Sequence, residues 1–473
     1  MNKNKTKIVA TIGPATSSKE ILKELIITGV NVCRLNFSHG SHEDHLKVME
    51  LIREINSELK CNTAILADLQ GPKLRIGEVE NNGVLLNENH IIEFTNEKCL
   101  GNANRVYMSY SLFPRDVAVG DYILVDDGKI KLQATETNGI DMVKARVIHG
   151  GILSSKKGVN LPNTKISLPS MTEKDIADAH FALDHDVDWI ALSFVRSAKD
   201  IIDLKDLIAH KGKHTMVIAK IEKPEAMDHI DEIIAVTDGI MVARGDLGVE
   251  MPFNQVPLMQ KTIVEKCIKF AKPVIIATQM LESMITNSTP TRAEATDVAN
   301  AVIDGASAVM LSGETGVGKY PIEVILAMKS IICYTEQFGY KYNRYHEPIV
   351  YDESFIPDSI CLNAGKLSNQ INAQAIIVLT YSGYTSFRIA SHRLSSDVFA
   401  FTPNEMLLRQ MSLLWGVKAY KSPEFFHTDD AIDFTLNILS KEQRIKKDDL
   451  VIHIGSTPLN KRCTTNMVKL TKL

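Results

Sequence analysis

The chain is short of the features that place a protein in a special class. No apolar run among its 473 residues approaches the roughly eighteen needed for a membrane span, so no membrane partner is expected. Its seven cysteines (Cys33, Cys61, Cys99, Cys267, Cys333, Cys361 and Cys463) are odd in number, scattered, and nowhere spaced as CxxC. That pattern signals neither a disulfide framework nor a zinc site, and it predicts buried thiols in a reducing compartment. Charge of one sign is also missing. Lys+Arg 53 against Asp+Glu 57 gives a net charge of −4 with no polybasic block, which argues against a nucleic-acid partner. The first residues, MNKNKTKIVATIG, lack the apolar stretch and cleavage site of a signal peptide, so a cytoplasmic location is expected. Internal repeats and low-complexity segments are absent as well.

What the sequence does contain is a regular alternation. At this length two to four domains are expected. Between residues 7 and 315, eight β-branched apolar runs alternate with amphipathic helical stretches: 7–13, 32–38, 63–69, 188–195, 215–222, 239–246, 273–280 and 308–315. Eight βα units predict an α/β fold, a closed TIM (β/α)8 barrel. About ninety residues separate the third and fourth runs, far more than a crossover requires. There the pattern shifts to period two, as in DYILV (121–125) and MVKARVI (142–148), broken by Asn-Gly turn signals. An all-β lid domain is therefore expected as an insertion after the third strand, hanging over the mouth of the barrel. Beyond a helix at 321–339 and a polar stretch, a new αβ alternation marks a C-terminal α/β domain, with strands at 375–379, 398–401 and 450–454. The expected units are thus 1–70 with 162–339 (barrel), 71–161 (lid) and 340–473 (C-terminal).

Reactive groups of such a barrel sit at the carboxyl ends of its strands, and polar residues gather there in this sequence. The second run ends RLNFSHG (34–40), the third in Asp68, the fifth in Lys220 and Glu222, the sixth in Arg244-Gly245-Asp246, the seventh in Thr278 and Gln279, and the eighth in Ser312 and Glu314. Lys220 and Glu222 lie two apart and share one side of their strand, with Asp246 closing the next. Two carboxylates that leave room for water and substrate oxygens suit Mg2+ or Mn2+ better than zinc; the competing reading is a structural Lys-Glu ion pair. ARGDLG (243–248) turns a strand into a helical segment whose backbone N–H groups can hold an anion. His39, His42 and His45 are expected to cap and pack rather than ligate metal, and Met280 and Met284 to sit in the core.

Several of these blocks resemble the pyruvate kinase family: RLNFSHG (34–40), ADLQGPKLRIGE (67–78), KKGVNLP (156–162), KIEKPEA (220–226), DGIMVARGDLGVE (238–250), ATQMLESMI (277–285), PTRAEATDVANAV (290–302) and MLSGETGVGKYP (310–321). The resemblance implies transfer of a phosphoryl group from phosphoenolpyruvate to ADP. It places Mg2+ (or Mn2+) on Glu222 and Asp246, and Lys220 against the transferring group as an electrophilic stabiliser. Arg34 would grip the phosphate, and the backbone of Gly245 and Asp246 would receive the substrate carboxylate. Thr278, through water and Ser312, would lie near the enolate face that is protonated, and Asn36, Arg75 and Lys157 would contact the nucleotide. A homotetramer is implied by the same analogy.

Two departures from the family pattern are informative. Many members hold K+ on residues matching Asn36, Ser38 and Asp68, with a Thr following the Asp and a Glu four residues beyond; this chain has Leu69 and Lys73. An ammonium in place of the ion predicts an enzyme for which K+ is not required. In the C-terminal domain, the hydroxyl-rich loop bearing Thr380, Ser382, Gly383, Thr385 and Ser386 resembles an effector-phosphate loop. The later segment GSTPLNKRCTTN (455–466) lacks the Trp-Arg pattern of fructose-bisphosphate-regulated members, so a sugar monophosphate or AMP is the expected effector, against a plain strand-to-helix turn. A Mg2+-dependent aldolase or lyase and a non-catalytic metabolite-binding paralogue are the rival classes.

Overall fold

A computed structural model describes residues 4–162, 164–350, 352–459 and 463–473. Eight parallel strands close into a barrel: Lys7–Ile12, Val32–Asn36, Ala64–Asp68, Trp189–Leu192, Met216–Ile221, Gly239–Ala243, Val274–Ala277 and Ala308–Leu311. Each falls inside one of the eight apolar runs. The fourth, sixth, seventh and eighth stop three or four residues before the runs do, because the backbone leaves the ladder to present groups at the mouth. Phe194, Thr278 and Gln279 have positive φ (55°, 64° and 53°) just beyond strand ends, a region that bulky and β-branched side chains seldom occupy.

The strands are apolar on both sides, as strands covered on both faces must be. Val9, Leu66, Trp189, Ile218, Met241, Ile275 and Met310 pack together inside the barrel. Their neighbours Ile8, Ile65, Ile190, Val217, Ile240, Ile276 and Val309 join the cluster with the outer helices. Capping boxes at Ser41, Thr172 and Thr291 start three of those helices, satisfying N–H groups that the first turn leaves open.

The insertion leaves after the third strand and returns before the fourth. It carries a six-stranded sheet and a two-stranded one, with its own core around Phe94, Phe113, Ile123, Leu132 and Val147. The exit is tight: Gly71 has φ +70°, and a Cβ there would lie 2.7 Å from the Phe194 ring, so a side chain would force strand and hinge apart. The insertion is not purely β, since Phe113–Asp116 forms one helical turn.

The C-terminal unit has a five-stranded sheet. Its two edge strands, Val417–Lys421 and Met467–Lys472, are absent from the strands read from sequence; both are partly exposed and rich in lysine, so their apolar signal is weak. This unit closes the end of the barrel opposite the mouth. Leu413 joins the barrel interior, and Arg409 meets the fully buried Asp188, just before the fourth strand, at 2.7 Å. The expectation of buried cysteines needs correction. All seven are free thiols, but only Cys33, Cys267 and Cys361 are buried, and Cys463 is exposed. No helix among the described residues is long and apolar enough to cross a membrane.

Candidate active site

The barrel mouth is organised around one fully buried carboxylate. Asp68, at the end of the third strand, lies 2.6 Å from Arg34 Nε and 3.0 Å from Lys220 Nζ. Arg34 also donates from Nη1 to Thr11 Oγ1 at 2.8 Å, and Thr11 in turn donates to the Leu311 carbonyl at 2.9 Å. The guanidinium is thereby fixed by the first and third strands, leaving the rest of its planar fork for an anion.

Lys220 is held from three sides. Besides Asp68 it meets Glu222 Oε1 at 3.0 Å and donates to Ser193 Oγ at 2.6 Å. The Ser193 hydroxyl in turn donates a hydrogen bond to the Leu69 carbonyl, also at 2.6 Å. Burial alone would favour the neutral amine, but the flanking Asp68 and Glu222 carboxylates outweigh it and hold the pKa above the ordinary lysine value. Burial likewise pushes Asp68 up, and it is overcome by Lys220 and Arg34, so Asp68 stays ionised below the usual carboxylate range.

Glu222 differs. Burial, reinforced by the charge of Asp246, pushes its carboxyl upward against the opposing pull of Lys220. Its Oε2 accepts the Phe194 N–H at 2.7 Å, which accounts for the positive φ of Phe194. Asp246, in the first turn of the helix Arg244–Glu250, is only partly buried. Two neighbouring carboxylates, one destabilised as an anion by the other, fit a divalent cation that satisfies both. No group of three or more ligating His, Cys, Asp or Glu occurs among the described residues, so substrate and water oxygens would complete a hard, oxygen-rich shell.

Facing these carboxylates, Thr278 accepts the Gly245 N–H at 2.7 Å and donates to the Ala277 carbonyl at 2.6 Å. Gly245, expected to receive a carboxylate through its backbone, is thus already engaged by Thr278. Arg244 points away from the mouth, to Asp297 at 2.7 Å and the Thr278 carbonyl at 2.9 Å, and so pins the strained Thr278 backbone. The Ser312 N–H donates to Glu314 Oε2 at 2.7 Å, and Glu314 Oε1 accepts the Leu281 N–H at 3.1 Å. No hydrogen bond joins Ser312 to Thr278 among the described residues.

The whole chain can be matched to known proteins. Residues 3–325 match the family model "Pyruvate kinase, barrel domain", and residues 358–471 match "Pyruvate kinase, alpha/beta domain". The chain belongs to the pyruvate kinase family. It is 41% identical to the pyruvate kinase of Geobacillus stearothermophilus over 473 residues, 99% of this chain and 80% of that protein. With the pyruvate kinase of Clostridium perfringens (strain 13 / Type A) it shares 39% identity over 474 residues, 99% and 100% of the two chains. A crystal structure of a pyruvate kinase from Cryptosporidium parvum superimposes with a TM-score of 0.92 at 34% identity, covering 99% of this chain and 96% of that one. Membership makes the chain a kinase, of a family that uses a divalent metal.

The remaining residues singled out from sequence lie around this centre. Asn36 Oδ1 accepts the Ser38 N–H at 3.1 Å, shaping the loop after the second strand. Leu69 is buried, and Lys73 is exposed on the hinge, lining a cleft with Asn160, Phe194, Lys223 and Asp246. Its charge, with those of Arg75 and Arg34, helps burial to lower the His39 pKa, so three cations converge on this side of the mouth. Arg75 rests on the Lys156 carbonyl at 3.0 Å, and Lys157 pairs with Asp126 at 2.8 Å. His42 stacks on Phe181 and meets Asp178, while His45 stacks on Phe37. Met280 and Met284 are fully buried. Sequence reasoning missed Thr11 and Phe194 as anchors. Thr11 carried a signal, a hydroxyl within an apolar barrel strand; Phe194 acts through its backbone, which no residue type announces.

In the C-terminal unit, Thr380, Ser382 and Thr385 line a cavity of about 520 Å³ with Tyr381, Phe425 and Thr465. Gly383 caps the helix Tyr384–Ser391 with φ 90°, donating to Thr380 Oγ1 at 2.9 Å. Ser386 is fully buried with its hydroxyl unpartnered. Residues 460–462 of the later segment lie outside the described residues.

Proposed function

We propose that this barrel mouth transfers the phosphoryl group of phosphoenolpyruvate to ADP, giving ATP and pyruvate. The observation that carries the reading is Lys220, a buried ammonium locked between Asp68 and Glu222 with Arg34 on the same anchor. Two fixed cations above a pair of carboxylates make a cradle for a dianionic group and its metal. Arg34 holds the phosphate. Lys220 gives its point charge to the oxygens of the phosphoryl group as the bond to the enol oxygen breaks and the bond to the terminal ADP oxygen forms. A divalent cation on Glu222 and Asp246, when bound, neutralises negative charge on the enolate and phosphoryl oxygens. The substrate carboxylate lies against the Gly245–Asp246 backbone, the Gly245 N–H turning to it from Thr278.

The enolate left behind needs a proton at its methylene carbon. The Thr278 hydroxyl, set by a strained backbone beside Gly245, delivers it through water, with Ser312 on the adjacent strand end. Asn36, Arg75 and Lys157 take the nucleotide, Lys157 exchanging Asp126 for a phosphate as the inserted unit closes and water is excluded. The Lys73 charge on the hinge, with Leu69 at the position of a hydroxyl ligand, supports a reaction that does not require K+. The hydroxyl-rich loop at Thr380–Ser386 and the cavity lined by Thr380, Ser382 and Thr385 support a phosphorylated effector, a sugar monophosphate or AMP, held by those hydroxyls; no rate change with any such compound at low phosphoenolpyruvate would leave only a strand-to-helix turn. Assembly as a homotetramer and a cytoplasmic setting belong to the same reading and rest on analogy with the family. The direct test is to supply phosphoenolpyruvate, ADP and Mg2+ and measure pyruvate and ATP, which are expected in equal amounts. A lyase or aldolase would form no ATP, and a binding paralogue would form neither product.

A further inference from the structure

Beside the metal carboxylates lies a second buried charge pair that the reaction does not use. Lys223, the residue after Glu222, meets Glu250 Oε1 at 2.6 Å, and their exposures are only 6% and 4%. The same oxygen accepts the side-chain N–H of Asn160 at 2.8 Å, while Glu250 Oε2 is buried without a partner. Three elements meet there. Glu250 ends the helix whose first turn carries Asp246. Lys223 lies two residues past the strand that carries Lys220, with Glu222 between. Asn160 lies in Val159–Asn160, the strand by which the inserted unit returns to the barrel, paired with Leu124 of the inserted sheet.

We infer that Lys223, Glu250 and Asn160 form a junction that anchors the return strand of the inserted unit to the barrel beside Glu222 and Asp246, with Asn160 as the positioning residue on the lid side. The inference rests on the phosphoryl-transfer reading for its kinetic consequence, not for its structural one. A buried carboxylate that has lost its amide partner is poorly solvated, so the junction holds the return strand against the barrel only while Asn160 donates. Release of that bond frees the hinge hydrogen bonds from Ile76 N to Lys157 O and from Val159 N to Leu74 O, and with them Lys157 and Arg75 on the nucleotide side. The Lys223–Glu250 pair stays in place, so Glu222 and Asp246 keep their spacing.

The test compares the full chain with Asn160→Ala by amide hydrogen exchange and steady-state kinetics. Exchange at Ile76 and Val159 is expected to quicken about tenfold, with Ile276 in the seventh barrel strand unchanged. The KM for ADP is expected to rise about tenfold, with kcat within about threefold of the wild type. Asn160→Asp sets carboxylate against carboxylate and is expected to exceed both effects. Should Asn160→Ala not fold, Asn160→Ser takes its place. Wild-type exchange at the hinge in either single variant would overturn the inference. Hydrogen exchange needs no turnover, so a wild-type chain that made no pyruvate would refute the reaction reading and leave the junction still decided.

Discussion

Asp68→Asn probes the central anchor with the least change of shape. The carboxylate is 1% exposed and faces two cationic side chains that are 11% and 10% exposed. The amide leaves Arg34 with Thr11, and Lys220 with Glu222, so two buried cations share one fewer countercharge. Breaking a buried pair in this way costs about 3–5 kcal/mol; since Lys220 keeps Glu222, the lower end, about 3 kcal/mol, is the expected value. For a barrel of this size each kcal/mol moves the midpoint by roughly 2–4 °C, so calorimetry at pH 7 is expected to show the barrel transition lowered by about 6–12 °C. The pH dependence has a definite sign. Asp68 has a depressed pKa in the folded state, so its contribution is complete above the unfolded carboxylate value of about 3.9 and is lost as pH falls below it. The gap between wild type and variant is therefore expected to be constant from pH 7 to 5 and to narrow below about 4. Displacement of Arg34 and Lys220 by even an ångström is expected to lower kcat about a hundredfold. A variant melting within about 2 °C of wild type at pH 7, or a gap that widens on acidification, would refute the reasoning.

Other outcomes follow from the same geometry. Glu222→Gln is expected to weaken Mn2+ binding, read by electron paramagnetic resonance without turnover, by about tenfold or more; unchanged binding would remove Glu222 from the metal site. Thr278→Val should slow deuterium incorporation at the pyruvate methyl group by about a hundredfold while phosphoryl transfer suffers less; equal loss of both would make Thr278 a structural support for Gly245 only. With an organic cation as the only monovalent ion, the proposed replacement of K+ by the Lys73 ammonium predicts that adding K+ changes the rate by less than about twofold; a large rise would rule out that replacement.

Much of the barrel was legible because its strands are apolar on both faces, giving unbroken runs such as IIA around Ile276 that helices and turns do not imitate. Strand ends were less legible. Phe194, Thr278 and Gln279 continue the apolar or polar pattern in sequence, but their backbones turn to positive φ to serve Glu222 and Gly245. Lys220 and Glu222 could be grouped by their spacing of two and Asp246 by its place just past the next strand, while the role of Asp68 as shared anchor could not, because it depends on the third and fifth strands being brought together across the mouth. The edge strands Val417–Lys421 and Met467–Lys472 escaped notice for the opposite reason: half their surface is wet, and lysine masks their alternation. The Lys223–Glu250–Asn160 junction joins residues up to ninety positions apart, a contact that no local pattern encodes.

The most direct test of the account is Lys220→Met, assayed with phosphoenolpyruvate, ADP and Mg2+ by following pyruvate and ATP together, with Mn2+ binding measured on the same preparation. Loss of a preorganised charge at the transferring group is expected to lower kcat by about a thousandfold, while wild-type protein forms the two products in equal amounts and the variant still binds Mn2+ through Glu222 and Asp246. A variant that retained wild-type turnover, or a wild-type protein that made no ATP from these substrates, would contradict it.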